Sequence, residues 1–158
     1  MGGKICKEPI YLRINKRDFF DLTLVDLPGL TYLDGLAPFI AGIYSEHIQN
    51  QNSIILYVSS AKTDLVTGQS MEIVNKHDPE WNRSMTIVTK IDGRDSNFIN
   101  NFRLVDRGLG AFCVRNRTET EIKSGISFSD VLEKERACLK DEDFSEISEQ
   151  QKGIPMLI

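Results

Sequence analysis

The sequence predicts an α/β protein in which a mostly parallel sheet is covered by helices on both faces. Three short, continuous apolar runs, at 53–59, 85–90 and 111–116, have the length and composition of strands buried on both sides. Segments with apolar residues at helical spacing separate these runs, so strand and helix alternate along the chain. We therefore expect ligand-binding residues at the carboxyl ends of the strands, where parallel sheets bind their ligands.

The first third of the chain predicts a hairpin followed by a helix. Residues 9–16, PIYLRINK, alternate apolar and polar side chains as a half-exposed strand does. Residues 19–26, FFDLTLVD, follow a short charged turn, which predicts an antiparallel hairpin with a buried second strand ending at Asp26. Residues 39–49, FIAGIYSEHIQ, carry apolar side chains at helical spacing and predict the first helix.

Three further helices are predicted between and after the buried strands. They are expected at 68–77 (GQSMEIVNKH), at 96–108 (SNFINNFRLVDRG) and at 129–140 (SDVLEKERACLK). Gly108 is expected to close the second of these, and Ser129 is a candidate cap for the third.

Composition excludes several classes of protein. The 158 residues suffice for one domain, and 41% apolar with 27% charged residues is ordinary for a soluble protein. A net charge of -4 offers no basic field for nucleic acid. No apolar run is long enough to span a membrane, and no secretory leader is recognisable. The three scattered cysteines indicate free thiols in a reducing compartment, so we expect a cytoplasmic protein.

The polar loop TKID, residues 89–92, follows the second buried strand and suits recognition of a guanine base. A carboxylate such as Asp92 can accept two hydrogen bonds from the N1 and N2 edge of guanine, which adenine cannot donate. The aliphatic part of Lys90 can lie along one face of the base, and Thr89 can tie the loop to its neighbours. A solvated lysine is the alternative interpretation of Lys90.

Two other loops complete the predicted site. In DLPG, residues 26–29, Asp26 could hold a magnesium ion through water, and Gly29 lets a backbone N–H approach a terminal phosphate. RNRT, residues 115–118, would support the other face of the base and the ribose. Each motif alone is short, and Asp26 could simply form a turn. Their common order and their placement at strand ends favour a purine nucleotide.

The sequence resembles the GTPase domain of the dynamin superfamily, with its dynamin and Mx-like branches, including the plant dynamin-related proteins. The matching stretches follow one another in a single order over nearly the whole chain, at 21–31, 52–65, 77–92, 113–122 and 153–158. The resemblance implies a G domain of the P-loop NTPase type, with GTP or GDP and Mg²⁺ as ligands. It also implies self-assembly through G-domain dimers, and membrane remodelling or microtubule binding at a cytoplasmic, peripheral location.

The resemblance assigns roles to particular residues. The third guanine-nucleotide motif, on the magnesium and γ-phosphate side, includes Gly29 as the catalytic residue and Asp26 as a metal ligand through water. Asp64 matches an acidic residue that reaches the partner subunit in a dimer, and a plain turn-forming role is equally expected for it. The residues implied to bind GTP are Asp26, Leu27, Pro28, Gly29, Thr89, Lys90, Asp92, Asn116 and Arg117.

The chain also departs from the family pattern. No G-x-x-x-x-G-K-[ST] phosphate-binding loop occurs in the sequence, and no stalk or effector helices are present. We therefore expect residues 1–158 to form a partial G domain without its amino-terminal strand and P-loop. Impaired GTP hydrolysis follows, because the P-loop contacts the most charged part of the nucleotide. The alternatives are a degenerate G domain that pairs with full-length relatives, and an α/β domain that binds another nucleotide.

Overall fold

The computed structural model describes residues 6–15, 17, 21–30 and 35–154. The chain divides into two compact units, Met1–Gln49 and Asn50–Ile158.

The first unit contains one helix, α1 (Ala37–Ile48), among its described residues. Pro38 lies in the first turn, where a missing backbone N–H costs nothing. The helix buries Ile40, Ile43 and Ile48, which recur at helical spacing. The helix predicted from the sequence is therefore confirmed, and it begins two residues earlier than expected.

The hairpin predicted at 9–16 and 19–26 is not formed by its described residues. Residues 9–15 and 21–26 carry no strand hydrogen bonds, and Leu24, expected in a buried strand, is 72% exposed. The turn between the two segments falls mostly outside the described residues. Alternating side chains favour a strand, but a strand also requires a neighbour that pairs with its backbone. The described parts of both segments lack that neighbour, so Asp26 does not end a buried strand.

The second unit is built on a parallel sheet. Its strands are β1 (Ile55–Ser60), β2 (Ser84–Thr89) and β3 (Ala111–Cys113), in the spatial order β1-β2-β3. Ile55 pairs with Ser84 in the first ladder, and Ile87 pairs with Phe112 in the second. The predicted parallel arrangement is confirmed.

The third strand is shorter than the apolar run that predicted it. The N–H of Val114 still donates to the carbonyl of Val88 at 2.8 Å. The next N–H, that of Arg115, instead donates to the side chain of Glu135 at 2.8 Å. The strand therefore ends where a carboxylate replaces the neighbouring backbone as acceptor.

Helices flank the strands in the predicted alternation, and three local details differ. The second predicted helix ends at Val105 with Asp106 as its C-cap, so Gly108 does not close it. The third predicted helix is capped by Ser127, whose hydroxyl accepts from the N–H of Asp130 at 3.1 Å, and Ser129 lies inside it. A short additional helix follows the loop after β3. The helices of this unit are α2 (Gln69–His77), α3 (Phe98–Val105), α4 (Glu119–Lys123) and α5 (Phe128–Leu139), with 3₁₀ turns at Ile91–Gly93, Glu142–Phe144 and Glu149–Gln151.

The turn between α3 and β3 packs closely against the single tryptophan. Trp81 is buried, and the guanidinium of Arg107 lies 4.2 Å from the centroid of its ring. Gly108 has a φ of 63°, and a Cβ at this position would overlap the carbonyl oxygen of Trp81. Glycine is required here both by the left-handed backbone and by the space.

The three cysteines differ in exposure, and all three thiols are free. Cys6 is exposed, Cys113 is buried in β3, and Cys138 is half-buried in α5. Burial is the main cause that raises the pKa of the Cys113 thiol, and burial likewise raises that of Cys138.

Candidate functional site

The carboxyl ends of the three parallel strands lie at one edge of the sheet. Because β1, β2 and β3 run in the same direction, the loops that follow them leave from this edge. The loop after β2 carries Lys90 and Asp92, and the loop after β3 carries Asn116 and Arg117. The structure thus brings together two of the three loops in which the sequence placed nucleotide-binding residues.

Thr89 ties the ends of β1 and β2 together. Its hydroxyl donates to the carbonyl of Ser59 at 3.0 Å, and its own carbonyl accepts from the N–H of Ala61 at 2.8 Å. Both bonds cross between the two strands just before their loops begin. The start of the Lys90 loop is therefore fixed to the sheet.

Lys90 has a backbone conformation that is unfavourable for a non-glycine residue. Its φ of 56° and ψ of 38° lie in the left-handed region, which costs about 1–2 kcal/mol for an ordinary L-residue. The 3₁₀ turn at Ile91–Gly93 follows at once, with the N–H of Gly93 donating to the carbonyl of Lys90 at 3.0 Å. The reversal leaves Ile91 fully buried and Asp92 exposed. Asp92 is consequently presented to solvent by a turn anchored in the core.

Lys62, in the loop after β1, lies against the Asp92 turn and was not identified from the sequence. A Cβ at Gly93 would overlap the Cε atom of Lys62, so the lysine side chain occupies the space that glycine leaves open. Its position next to Gly93 depends on the pairing of β1 with β2, which the local sequence does not reveal.

Asp64 shows the turn-forming role that was one of its two expected interpretations. The residue is exposed, and its carboxylate accepts from the N–H of Val66 at 2.9 Å. That hydrogen bond is the main cause that lowers the pKa of Asp64. Contact with a second subunit stays a prediction for this residue.

The loop after β3 is anchored by a buried ion pair. Nη2 of Arg115 donates to Oε1 of Glu121 at 2.8 Å, and both side chains are about nine-tenths buried. Lys134 of α5 donates to the same oxygen at 2.7 Å. Glu121 also accepts from the N–H of Thr118, whose hydroxyl in turn accepts from the N–H of Glu121, forming a capping box at the start of α4.

These contacts determine the ionisation of Glu121. The hydrogen bond from Arg115 is the largest cause that lowers the pKa of Glu121 well below its ordinary value, followed by those from Lys134 and Thr118. The spacing Thr118-x-x-Glu121 is a capping-box signature, so this anchor could have been recognised in the sequence.

Glu135 of α5 also fixes the backbone of this loop. It is 1% exposed, and its two oxygens accept from the N–H of Arg115 at 2.8 Å and from the N–H of Ile154 at 3.1 Å. No sequence pattern links a helical glutamate to a backbone N–H twenty residues away. Asn116 and Arg117 follow directly after this anchored position, and both are exposed.

The DLPG segment belongs to the first unit, where residues 21–30 have no regular secondary structure. The hydroxyl of Tyr44 in α1 donates to the carbonyl of Pro28 at 2.9 Å. Burial, with a smaller contribution from the charge of Asp26, raises the pKa of Tyr44. Asp26 and Gly29 are exposed, and a Cβ at Gly29 would meet no atom within 4 Å. The backbone at Gly29 is therefore open to close approach.

No described helix is long and apolar enough to cross a membrane. Within the described ranges, no group of three or more His, Cys, Asp or Glu side chains is placed to hold a metal ion.

Comparison with known proteins identifies the family. Residues 1–91, more than half of the chain, match the family model described as the dynamin family. The chain is 34% identical over 146 residues to "Dynamin-1-like protein" of Danio rerio. These aligned residues cover 86% of this chain and 21% of that protein. It is 32% identical over 165 residues to "Dynamin-related protein 4C" of Arabidopsis thaliana, covering 99% of this chain and 24% of that protein.

A fungal relative extends the same pattern. The "Dynamin-related protein dnm1" of Schizosaccharomyces pombe is 31% identical over 163 residues, which is 97% of this chain and 21% of that protein. The chain thus spans between a fifth and a quarter of the length of these relatives. With its parallel α/β sheet and its match to the family model, this chain belongs to the dynamin family and represents part of its G domain.

Proposed function

We propose that the chain binds a guanine nucleotide at the carboxyl edge of its sheet, with Asp92 recognising the base. The observation that carries this proposal is the exposed Asp92, held by the left-handed Lys90 turn on the same edge as the exposed Asn116 and Arg117. The backbone that precedes each of these side chains is anchored in the sheet or in the core. A carboxylate in this position can discriminate between bases because its turn does not have to reorganise on binding.

Guanine selectivity follows from hydrogen-bond chemistry. An ionised carboxylate accepts hydrogen bonds only, and guanine presents two donors, N1–H and the N2 amino group, on one edge. Adenine presents an unprotonated N1 there, which would face the carboxylate without a proton between them. The stem of Lys90 and the loop at Asn116 and Arg117 would then contact the two faces of the base and the ribose.

From family membership we propose a phosphate-binding role for Asp26 and Gly29, with Leu27 and Pro28 in the same DLPG segment of the first unit. Mg²⁺ is commonly held by one or two carboxylates together with phosphate oxygens and water, so a single exposed carboxylate such as Asp26 fits this mode through a bound water. The open backbone at Gly29 suits a terminal phosphate. Mg²⁺ would neutralise charge on the phosphates, and Gly29 would donate its N–H to them.

Hydrolysis of GTP by the 158-residue chain is expected to be weak. The sequence has no G-x-x-x-x-G-K-[ST] loop, which would supply backbone N–H groups and a lysine to the phosphates. Each charge-assisted hydrogen bond of this kind is worth about 1.5–3 kcal/mol, so several together change affinity by orders of magnitude. Self-assembly, a dimer contact at Asp64 and a peripheral cytoplasmic role in membrane remodelling are proposed from family membership alone.

Binding of fluorescent GTP and ATP analogues in the presence of Mg²⁺ tests the proposal. The wild-type chain should prefer the GTP analogue, and Asp92→Asn should weaken that binding roughly tenfold to a hundredfold with little change for ATP. Asp95→Asn is the matched control, because Asp95 is an exposed aspartate in the same loop. Equal affinity for both analogues, or unchanged selectivity in Asp92→Asn, would remove Asp92 from a base site.

A second measurement separates an enzyme from a non-hydrolysing interaction module. Release of phosphate from GTP would contradict the module, and its absence together with nucleotide-independent association with a full-length relative would support it.

A further inference from the structure

We propose that Arg115 is a positioning residue of the base site, whose guanidinium is clamped by Glu121 and attracts the carboxylate of Asp92. Arg115 would thereby couple the loop after β2 to the loop after β3. The inference takes its functional meaning from the proposed guanine site and adds a residue that the nucleotide-binding motifs do not include.

The geometry of Arg115 fixes both its backbone and its side chain. Its N–H is held by Glu135 at 2.8 Å, and its Nη2 is held by Glu121 at 2.8 Å. The residue is 8% exposed, so its guanidinium has little freedom to move. Because the guanidinium is planar, holding Nη2 in place also fixes the direction in which Nη1 points.

The second terminal nitrogen of Arg115, Nη1, is a hydrogen-bond donor left without an acceptor in the part of the chain that the structure describes. Nη1 is buried and has no hydrogen-bond partner among the described residues. A buried donor of this kind costs free energy unless an acceptor compensates it. Asp92 lies in the neighbouring loop, because β2 pairs with β3 and the loops that follow the two strands leave the same edge of the sheet.

Electrostatics support the same pairing. The hydrogen bond to Glu121 is the main cause that raises the pKa of Arg115; burial opposes it, and the charges of Glu121 and Asp92 add to the increase. The positive charge of Arg115 attracts the carboxylate of Asp92, the group that would accept hydrogen bonds from guanine. Attraction between Arg115 and Asp92 would also hold the loops after β2 and β3 in a fixed relative position.

A spectroscopic experiment on the full chain tests the coupling without nucleotide. The ¹H–¹⁵N signal of the Arg115 guanidinium is recorded in wild type, in Asp92→Asn and in Asp95→Asn. Asp92 and Asp95 are exposed residues of one loop, so neither change should unfold the chain. We expect the signal to move in Asp92→Asn only. A signal that stays in place in both variants, or moves equally in both, overturns the coupling.

Nucleotide selectivity tests the positioning role. Arg115→Gln should reduce the preference for GTP over ATP analogues by roughly twofold to fivefold, the range expected when an ion pair with one exposed partner is lost. Arg115→Lys should recover part of it, because the charge is restored. Lys123→Gln is the control, since Lys123 is an exposed cation of α4 paired with Glu119. Full selectivity in Arg115→Gln would overturn the role.

The outcomes distinguish this inference from the proposed function. If the wild-type chain shows no guanine preference, the proposed function fails, and the spectra still decide whether Arg115 and Asp92 interact. If guanine is preferred and the Arg115 signal does not move in Asp92→Asn, the proposed function stands and the coupling is wrong. Should Arg115→Gln fail to fold, Arg115→Lys and the spectra of the aspartate variants remain decisive.

Discussion

Replacing Glu135 by glutamine should destabilise the second unit through two backbone hydrogen bonds. The glutamate is 1% exposed and accepts from Arg115 N–H at 2.8 Å and from Ile154 N–H at 3.1 Å. Glutamine keeps one acceptor oxygen, but its NH₂ group would point at the other backbone N–H, so two hydrogen-bond donors would face each other. A hydrogen bond to a charged group is worth about 1.5–3 kcal/mol, and relief from burying a charge offsets part of the loss. We expect Glu135→Gln to lower the free energy of unfolding by about 2 kcal/mol.

Urea unfolding followed by tryptophan fluorescence measures this loss. Trp81 is the single tryptophan and is 1% exposed in the second unit, so its emission reports on the unfolding of that unit. Glu133→Gln is the matched control, because Glu133 is an exposed residue of the same helix, α5. The control should change the free energy of unfolding by less than about 0.5 kcal/mol. Equal unfolding midpoints for the two variants would refute the role of Glu135.

Three further predictions use the same unfolding assay. Gly108→Ala should cost at least about 2 kcal/mol more than Gly125→Ala, since both glycines have left-handed backbones but only Gly108 lacks space for a Cβ; equal costs would contradict the packing argument. Glu121 has a lowered pKa when folded, so its contribution is present above its ordinary pKa of 4.5 and lost as the pH falls below it. Glu121→Gln should therefore flatten the decline in stability between pH 6 and 3, and a parallel decline would exclude Glu121 as its source. Lys90→Val should be less stable than Lys90→Gly by about 1–2 kcal/mol, and the opposite order would argue against the left-handed turn.

The parts of the structure that depend on local sequence could be predicted. The buried strand over 84–89 is an apolar run that needs no partner information to recognise, and its following loop placed Asp92 at the carboxyl edge correctly. The buried face of the helix at 37–48 can likewise be read from the spacing of its apolar residues. Both features follow from periodicity and burial within one segment.

The features that the sequence did not predict depend on segments far apart in the chain. The strand expected at 19–26 required a pairing partner, and alternation of side chains contains no information about one. The contact of Glu135 with the N–H of Arg115 depends on how α5 packs against β3. The Thr118–Glu121 capping box, by contrast, had a local signature that could have been recognised.

Because the three thiols differ in exposure, a thiol reagent can label one of them selectively. Thiolates are the species that react with maleimides and iodoacetamides, and burial suppresses both thiolate formation and reagent access at Cys113. Cys138 is half-buried and its pKa is also raised, whereas Cys6 is exposed in the first unit. A brief treatment at neutral pH should thus attach a dye or spin label at Cys6 first. The native sequence therefore provides a probe position in the first unit, while Trp81 reports on the second.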